Sequence, residues 1–292
     1  MDKKITVTKW LDRLTENLHN NSLKTPLGEP MPQFPPEQLQ VDTTGLGGAA
    51  ALAQAAAFYA DLVDTADRLE RPLGEESRIL DFGSGWGRIT RFFLRDTRHD
   101  NIVGLEVDPG FVEISNHLFG GANFQVCNPQ PPTPFATGSF DVVSAYSVFS
   151  HLSEETSRQW VDEFARLLKP GGLFIFTTRN EAFLDTCRQL SLMGNLNHHQ
   201  SILAGMFDNW EDARRQFRSG QFLHRGLGGG GVRDASYYGE SFIPRAYIER
   251  EYGENFEIVF ASGETAQGPA RHGLAGRRAE YDQACFVLRR RG

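Results

Sequence analysis

Residues 79–90 read ILDFGSGWGRIT. An apolar run ends in Asp81, and Gly83, Gly85 and Gly87 follow at alternate positions before a helical pattern sets in. A buried strand that runs through a glycine-rich turn into a helix opens a parallel α/β sheet, in which small ligands lie outside the carboxyl ends of the strands. The spacing narrows the ligand. A pyrophosphate site wants G-x-G-x-x-G, because the third glycine admits close helix packing while the helix start holds phosphate. Here the pattern is G-x-G-x-G, and Asp81, two residues ahead of it, would repel a phosphate.

A carboxylate at that point suits a ligand whose nearest group is an ammonium. S-adenosylmethionine offers one, together with a sulfonium, a ribose and an adenine, and it has no phosphate. The next apolar run, NIVGLEV at 101–107, ends in Glu106, whose two oxygens can accept from both ribose hydroxyls. Asp108 stands where the following helix begins and suits capping better.

Outward from this turn, strand and helix alternate. Strands are expected at 77–82, 101–107, 123–126, 139–145 and 173–178, and helices at 88–95, 110–118 and 153–169. Ser153 caps the last helix, Glu154 and Glu155 suit its positive end, and Pro170-Gly171-Gly172 stops it. Two closing strands, 256–261 and 284–288, follow one another without an intervening helix and are expected to pair antiparallel across a long glycine-rich loop. Upstream, KWLDRLTENLHN at 9–20 places Trp10, Leu11, Leu14 and Leu18 on one helical face. TPLGEPMPQFPPEQLQ carries five prolines and predicts an extended connector, and 48–70 predicts a long alanine-rich helix.

Four blocks in register, ILDFGSGWGR, VGLEVDP, PFATGSFDVVSAYSVFSHLSEE and LLKPGGLFIFTT, resemble the class I S-adenosylmethionine-dependent methyltransferases, and FEIVFASG with DQACFVLRRR resembles their closing pair. The phrases FPPEQL and SVFSHL further resemble a bacterial subgroup of uncharacterised enzymes. The resemblance implies an α/β, Rossmann-like, seven-stranded, mostly parallel sheet with an antiparallel last strand, plus helical N-terminal and inserted segments. It implies that residues 1–72 form a helical, proline-rich cap and 73–292 the methyltransferase domain, with 180–239 a variable acceptor or lid insertion.

Position by position, the resemblance implies that Asp81 faces the methionine ammonium and that Gly83, Ser84, Gly85 and Gly87 let the backbone approach the methionine. It puts Glu106 on the ribose, Val107 against the adenine, Asn128 on the adenine amino group, and Tyr146 and Ser147 at the cofactor's border. His151 is the candidate base, with a reference pKa near neutrality; a histidine just before a capped helix also commonly holds a loop by bonding to backbone. His198, His199, His224 and His272 are further candidates, more usual as surface residues. Trp10, Phe34, Trp210, Phe222, Tyr237 and Tyr238 could wall an acceptor pocket or sit in the core. Arg214, Arg215 and Arg218 could meet an anionic acceptor or line a solvated helix face. GLGGGG at 226–231 could be a lid hinge or a linker.

The expected activity is methyl transfer to oxygen or nitrogen of a small or medium-sized acceptor. The alternative is a catalytically silent cofactor-binding module on the same fold, because binding is not turnover. A net charge of −7 argues against a nucleic-acid partner. No run reaches the roughly 18 apolar residues of a membrane span, the start is unlike a signal peptide, and three scattered cysteines suit a reducing cytoplasm. No cluster of carboxylates suggests a metal, and the N-terminal amphipathic helix could serve a homodimer.

Overall fold

The computed structural model describes residues 5–121, 123–264 and 283–292. Helices α1 (Val7–Asn17), α2 (Glu37–Thr44) and α3 (Gly48–Arg68) precede β1 (Ile79–Phe82), the short α4 (Thr90–Phe93), β2 (Ile102–Glu106), α5 (Pro109–Phe119), β3 (Phe124–Val126), β4 (Phe140–Ala145), α6 (Glu154–Leu167) and β5 (Leu168–Arg179). An insertion follows, with α7 (Glu181–Ser191), α8 (His198–Ala204), α9 (Trp210–Arg218), β6 (Leu223–Gly226) and β7 (Gly239–Phe242). After the one-turn α10 (Arg245–Tyr247), β8 (Phe256–Ser262) and β9 (Gln283–Arg290) close the sheet.

The main path is β3-β2-β1-β4-β5, all parallel; β9 then pairs antiparallel with β5, and β8 antiparallel with β9. These are the seven expected strands, with the antiparallel one in its expected place. The remaining two, β6 and β7, form an antiparallel hairpin that touches the end of β5 through Arg179 and Phe242. The order reverses direction at β1, which has β2 on one side and β4 on the other, so a crevice opens above β1.

Alternate residues of the buried strands serve opposite faces. Ile79, Ile102, Val142, Leu173 and Ile175 pack with α1, α3, α4 and α5, while Leu80, Leu105, Val143, Phe174 and Phe176 pack with α6 and Tyr252. Such two-sided burial explains why these strands read as continuous apolar runs. Trp10, which could have walled a pocket or sat in the core, is fully buried on the first face, and Phe58, Tyr59 and Leu62 of α3 join it. Among the described residues no single helix is long and apolar enough to cross a membrane; only α2 and α3 together pass by length and composition, bent by 48°.

Four expectations shift. The proline connector is not extended throughout: Pro36 presets the backbone for α2, and the Gln40 side chain bonds Pro35 O and Gly48 N, tying α2 to the start of α3. The helix expected at 88–95 is regular only over Thr90–Phe93, because Phe92, Arg95 and Asp96 bond three residues back. Helix α6 stops at Leu167, since Leu168 is drawn into the sheet beside Phe140. GLGGGG belongs to the connection of the β6–β7 hairpin. The glycine-rich loop between β8 and β9, with His272, lies outside the described residues.

One buried cation fastens the N-terminal region to the glycine turn. Arg91 bonds Gly87 O and Trp86 O, reaches Gln33 O at 3.4 Å, and stacks 4.0 Å above the ring of Phe34. Gly87 itself has φ +77°, and a Cβ there would sit 2.4 Å from Phe119. Gly87→Ala should therefore lose about 3 kcal/mol in denaturant unfolding, combining left-handed strain with overpacking. Gly138→Ala, with φ +66° and open space around it, should lose only about 1 kcal/mol.

Candidate functional site

A cavity of about 420 Å³ lies above β1, where the crevice opens. Its floor is the turn after β1, with Gly83, Ser84 and Gly85, and one wall is the end of β2, with Leu105, Glu106 and Val107. Gly83 N and Ser84 N both donate to Leu105 O, which draws the turn back over β2. Gly83 (φ +69°) could not carry a side chain, since a Cβ would meet Val148 at 2.3 Å, whereas Gly85 (φ +50°) faces open space.

Glu106 holds the two walls together. Its Oε2 accepts from Gly85 N at 3.0 Å, and its Oε1 accepts from Val107 N at 2.9 Å and Asp108 N at 3.1 Å. Burial raises its pKa above the usual carboxylate value, while these three N–H donors and the charge of Arg233 oppose the shift. Asp108 caps α5 through Gly110 N, as its position suggests, and also meets Arg233 at 3.4 Å.

The structure brings Gly83, Ser84, Gly85, Glu106, Val107, Tyr146, Ser147 and His151 to the cavity wall. It does not bring Asp81, Gly87 or Asn128 there. Asp81 is buried beneath the floor, where Thr90 Oγ1 donates to one oxygen at 2.5 Å and Ser144 Oγ to the other at 3.0 Å. Gly87 is turned toward Phe119, and Asn128 is exposed, between Cys127 and Pro129, which do line the cavity. Burial pushes the Cys127 thiol up to about 12, so it is protonated and no nucleophile at neutral pH.

At the far end, Ser147 takes a left-handed φ of +57°, uncommon for a residue with a side chain. Thr177 Oγ1 accepts from its N–H at 2.8 Å, and Gln283 Nε2 donates to its hydroxyl at 2.9 Å. His151 Nδ1 lies 2.7 Å from Gly239 O. A carbonyl only accepts, so Nδ1 carries the hydrogen and Nε2 of the neutral ring keeps its lone pair. Burial lowers the His151 pKa, with Arg179 and Arg233 acting in the same direction and Glu240 against it. Tyr238 stacks on the imidazole at 5.0 Å.

The rest of the cavity wall was only partly visible in the sequence. Tyr237 and Tyr238, which could have walled a pocket or sat in the core, line the cavity. Phe34 packs on Trp86, Trp210 on Phe207, and Phe222 on Tyr247. Arg214 and Arg218 pair with Glu181, and Arg215 with Asp212, on the insertion's own helices. His198 and His199 open α8 in exposed positions, and His224 bonds Ser241. Unforeseen lining residues are Asp42, Thr43 and Thr44 of α2, Trp86, Arg88 and Arg233. Neither arginine stands in a motif, and α2 lay within a segment rich in proline. Among the described residues no group of three or more His, Cys, Asp or Glu is placed to hold a metal ion.

Residues 80–176 match a methyltransferase domain family. Over 122 residues the chain is 26% identical to a malonyl-[acyl-carrier protein] O-methyltransferase of Paenibacillus sp. (strain JDR-2), covering 38% of this chain and 42% of that protein. Over 104 residues it is 30% identical to the biotin biosynthesis bifunctional protein BioHC of Cellvibrio japonicus, covering 36% of this chain and 20% of that one. The chain thus spans less than half the length of both these relatives. A crystal structure of an S-adenosylmethionine-dependent methyltransferase from Clostridium acetobutylicum superimposes with a TM-score of 0.50 at 12% identity, covering 81% of this chain and 92% of that one, a likeness of fold.

The residues present fit that cofactor. The side-chain-free approach at Gly85, the carboxylate of Glu106 and the apolar surfaces of Leu105, Val107 and Phe111 border one cavity.

Asp81 yields a pH test. Burial raises it from 3.8 to about 6, so the unfolded chain ionises first. Its contribution to stability is full below the unfolded value and is lost as pH rises through about 6. The unfolding free energy of the wild type minus that of Asp81→Asn should fall by about 3 kcal/mol between acid and neutral pH in denaturant titrations. A difference that stays flat would mean that burial leaves the Asp81 pKa at its unfolded value.

Proposed function

We propose that the chain, whose residues 80–176 match a methyltransferase domain family, is a class I S-adenosylmethionine-dependent methyltransferase that moves a methyl group to oxygen or nitrogen of a small or medium-sized acceptor. The observation that carries this is one cavity with the glycine turn and Glu106 at one end and a neutral histidine with a free ring nitrogen at the other. The O-methyltransferase activity named for the Paenibacillus relative supports the same class of reaction.

S-adenosylmethionine supplies a methyl carbon already activated by a positive sulfur. The chain's part is to bind, align, exclude water and remove a proton. Glu106 would accept from the ribose hydroxyls, with Val107 and Phe111 against the adenine and the Gly83–Gly85 backbone along the methionine. Tyr146 and Ser147 would border the reacting end. His151 Nε2 would take the proton of a hydroxyl or ammonium. Regions 1–72 and 180–239 would shape the acceptor's space, through Asp42, Thr43 and Thr44 from one and Arg233, Tyr237 and Tyr238 from the other.

Calorimetry with S-adenosylhomocysteine and with NADH tests the binding half: the first should bind and the second should not. Glu106→Ala should weaken S-adenosylhomocysteine by roughly ten- to hundredfold, as charge-assisted bonds worth about 1.5 to 3 kcal/mol are lost, and should lower Tm while keeping the fold, because the N–H groups of Gly85, Val107 and Asp108 lose their acceptor. Unchanged affinity would put the ribose elsewhere.

Turnover of a labelled methyl donor with candidate acceptors tests the chemistry. His151→Gln should cut it by about a hundredfold while leaving S-adenosylhomocysteine affinity alone. In the wild type the acid limb of kcat/KM should fall below the 6.5 of an ordinary imidazole, because burial disfavours the protonated, inactive ring. An acid limb that persists in the variant would remove His151 from the role of base. Binding with no methyl release from any acceptor would favour the silent cofactor-binding module.

A further inference from the structure

Behind His151 stands a carboxylate that the function above does not use. Glu240, on β7, is 6% exposed, and its Oε1 lies 3.4 Å from the same Nδ1 that bonds Gly239 O. Its Oε2 accepts from Arg179 Nε at 2.8 Å and its Oε1 from Arg179 Nη2 at 3.5 Å, and the Arg179 guanidinium is fixed 4.0 Å over the ring of Phe183. The inserted hairpin therefore delivers two acceptors, a carbonyl and a carboxylate, to one edge of the imidazole. An anion this deeply buried needs a partner, and Arg179 supplies one. The same pairing holds Oε1 against the Nδ1 edge of the histidine.

The charged and titratable groups facing the ring come from several elements. Glu240 arrives from β7, Arg179 from β5 and Arg233 from the hairpin connection, with Tyr238 stacked on the ring's face. His224 of β6 lies near enough to feel the His151 charge. Glu240 is the anion of this set. The cations discourage a charged imidazole and Glu240 favours one.

We infer that Glu240, clamped by Arg179, is a positioning residue for His151: beside the Gly239 carbonyl that takes the Nδ1 hydrogen, it holds the ring with Nε2 free and stabilises the imidazolium that forms when a proton is taken. The acceptor's O–H or N–H bond breaks, its proton goes to Nε2, and the electron pair stays on the acceptor atom as the nucleophile. A base so prepared serves an acceptor with a proton to lose, a hydroxyl or an ammonium, and has no use for a carboxylate already ionised at neutral pH. The acceptor class rests on the methyl-transfer function proposed above; the orientation of the ring does not.

The test uses the full chain grown with isotope-labelled histidine, followed by long-range proton–nitrogen spectra from about pH 5 to about pH 8, which spans imidazole titration. His151→Gln identifies the signal. In the wild type the neutral ring should carry its hydrogen on Nδ1. Glu240→Gln should lower the titration midpoint by about one pH unit, since a neighbouring anion is lost while Arg179 stays charged. Glu240→Asp keeps an anion for Arg179 but withdraws it from the ring, so it should move the midpoint in the same direction by less, and it serves if the glutamine variant does not fold. A hydrogen on Nε2 in the wild type, or no movement in either variant, overturns the assignment. S-adenosylhomocysteine added to the wild-type sample should shift the His151 signal. Failure of that step alone counts against methyl transfer and leaves the role of Glu240 to the variant spectra.

Discussion

The Glu106 carboxylate is the constraint on which the site depends. Three backbone N–H groups, from Gly85, Val107 and Asp108, point at its two oxygens. Those donors stand at a strand end and in a turn, where no ladder can satisfy them, so an acceptor must be supplied. By supplying it from β2, the chain ties the glycine turn of β1 to its neighbouring strand. Burial pushes this carboxylate toward neutrality and the three donors hold it back, leaving it poised to accept from hydroxyl groups.

The other buried charges serve the same geometry from beneath and behind. Asp81 bonds Thr90 and Ser144, joining β1 to α4 and β4 under the turn. Arg91 ties Trp86 and Gly87 to the Phe34 segment of the N-terminal region. Arg179 and Glu240 connect the end of β5 to the inserted hairpin. Each joins elements far apart in sequence, and each costs desolvation that only a specific partner offsets. The cavity is therefore built jointly by the common sheet, the N-terminal segment and the insertion.

The parts of this structure that depend on local pattern were legible in the sequence. Five apolar runs with punctuation between them predicted the parallel strands, and the spacing at Gly83, Gly85 and Gly87 with Glu106 after the second run predicted where the crevice would be. What was not legible depends on contacts across the chain. Nothing near Glu240 signals a histidine partner, because the two residues are 89 positions apart and meet only through the β6–β7 hairpin. Helix α2 hid among prolines, since Pro36 reads as a breaker when it is in fact a helix start. Asp81 was read as facing the ligand because a strand-end carboxylate before a glycine turn suggests exposure. Thr90, one turn into the next element, and Ser144, on β4, turn it inward instead. Asn128 lies outside the cavity lining for a simpler reason: β3 is short and its end is at the surface, so neighbouring side chains fall on different sides of the wall.

The central claim is that the cleft above β1 receives the nucleoside of a methyl donor, with the reacting end toward His151. A crystal structure of the chain soaked in S-adenosylhomocysteine tests it most directly. The account predicts ribose hydroxyls on Glu106 and the sulfur on the side of Ser147 and His151. An empty cleft, or a purine seated away from Glu106, would contradict it.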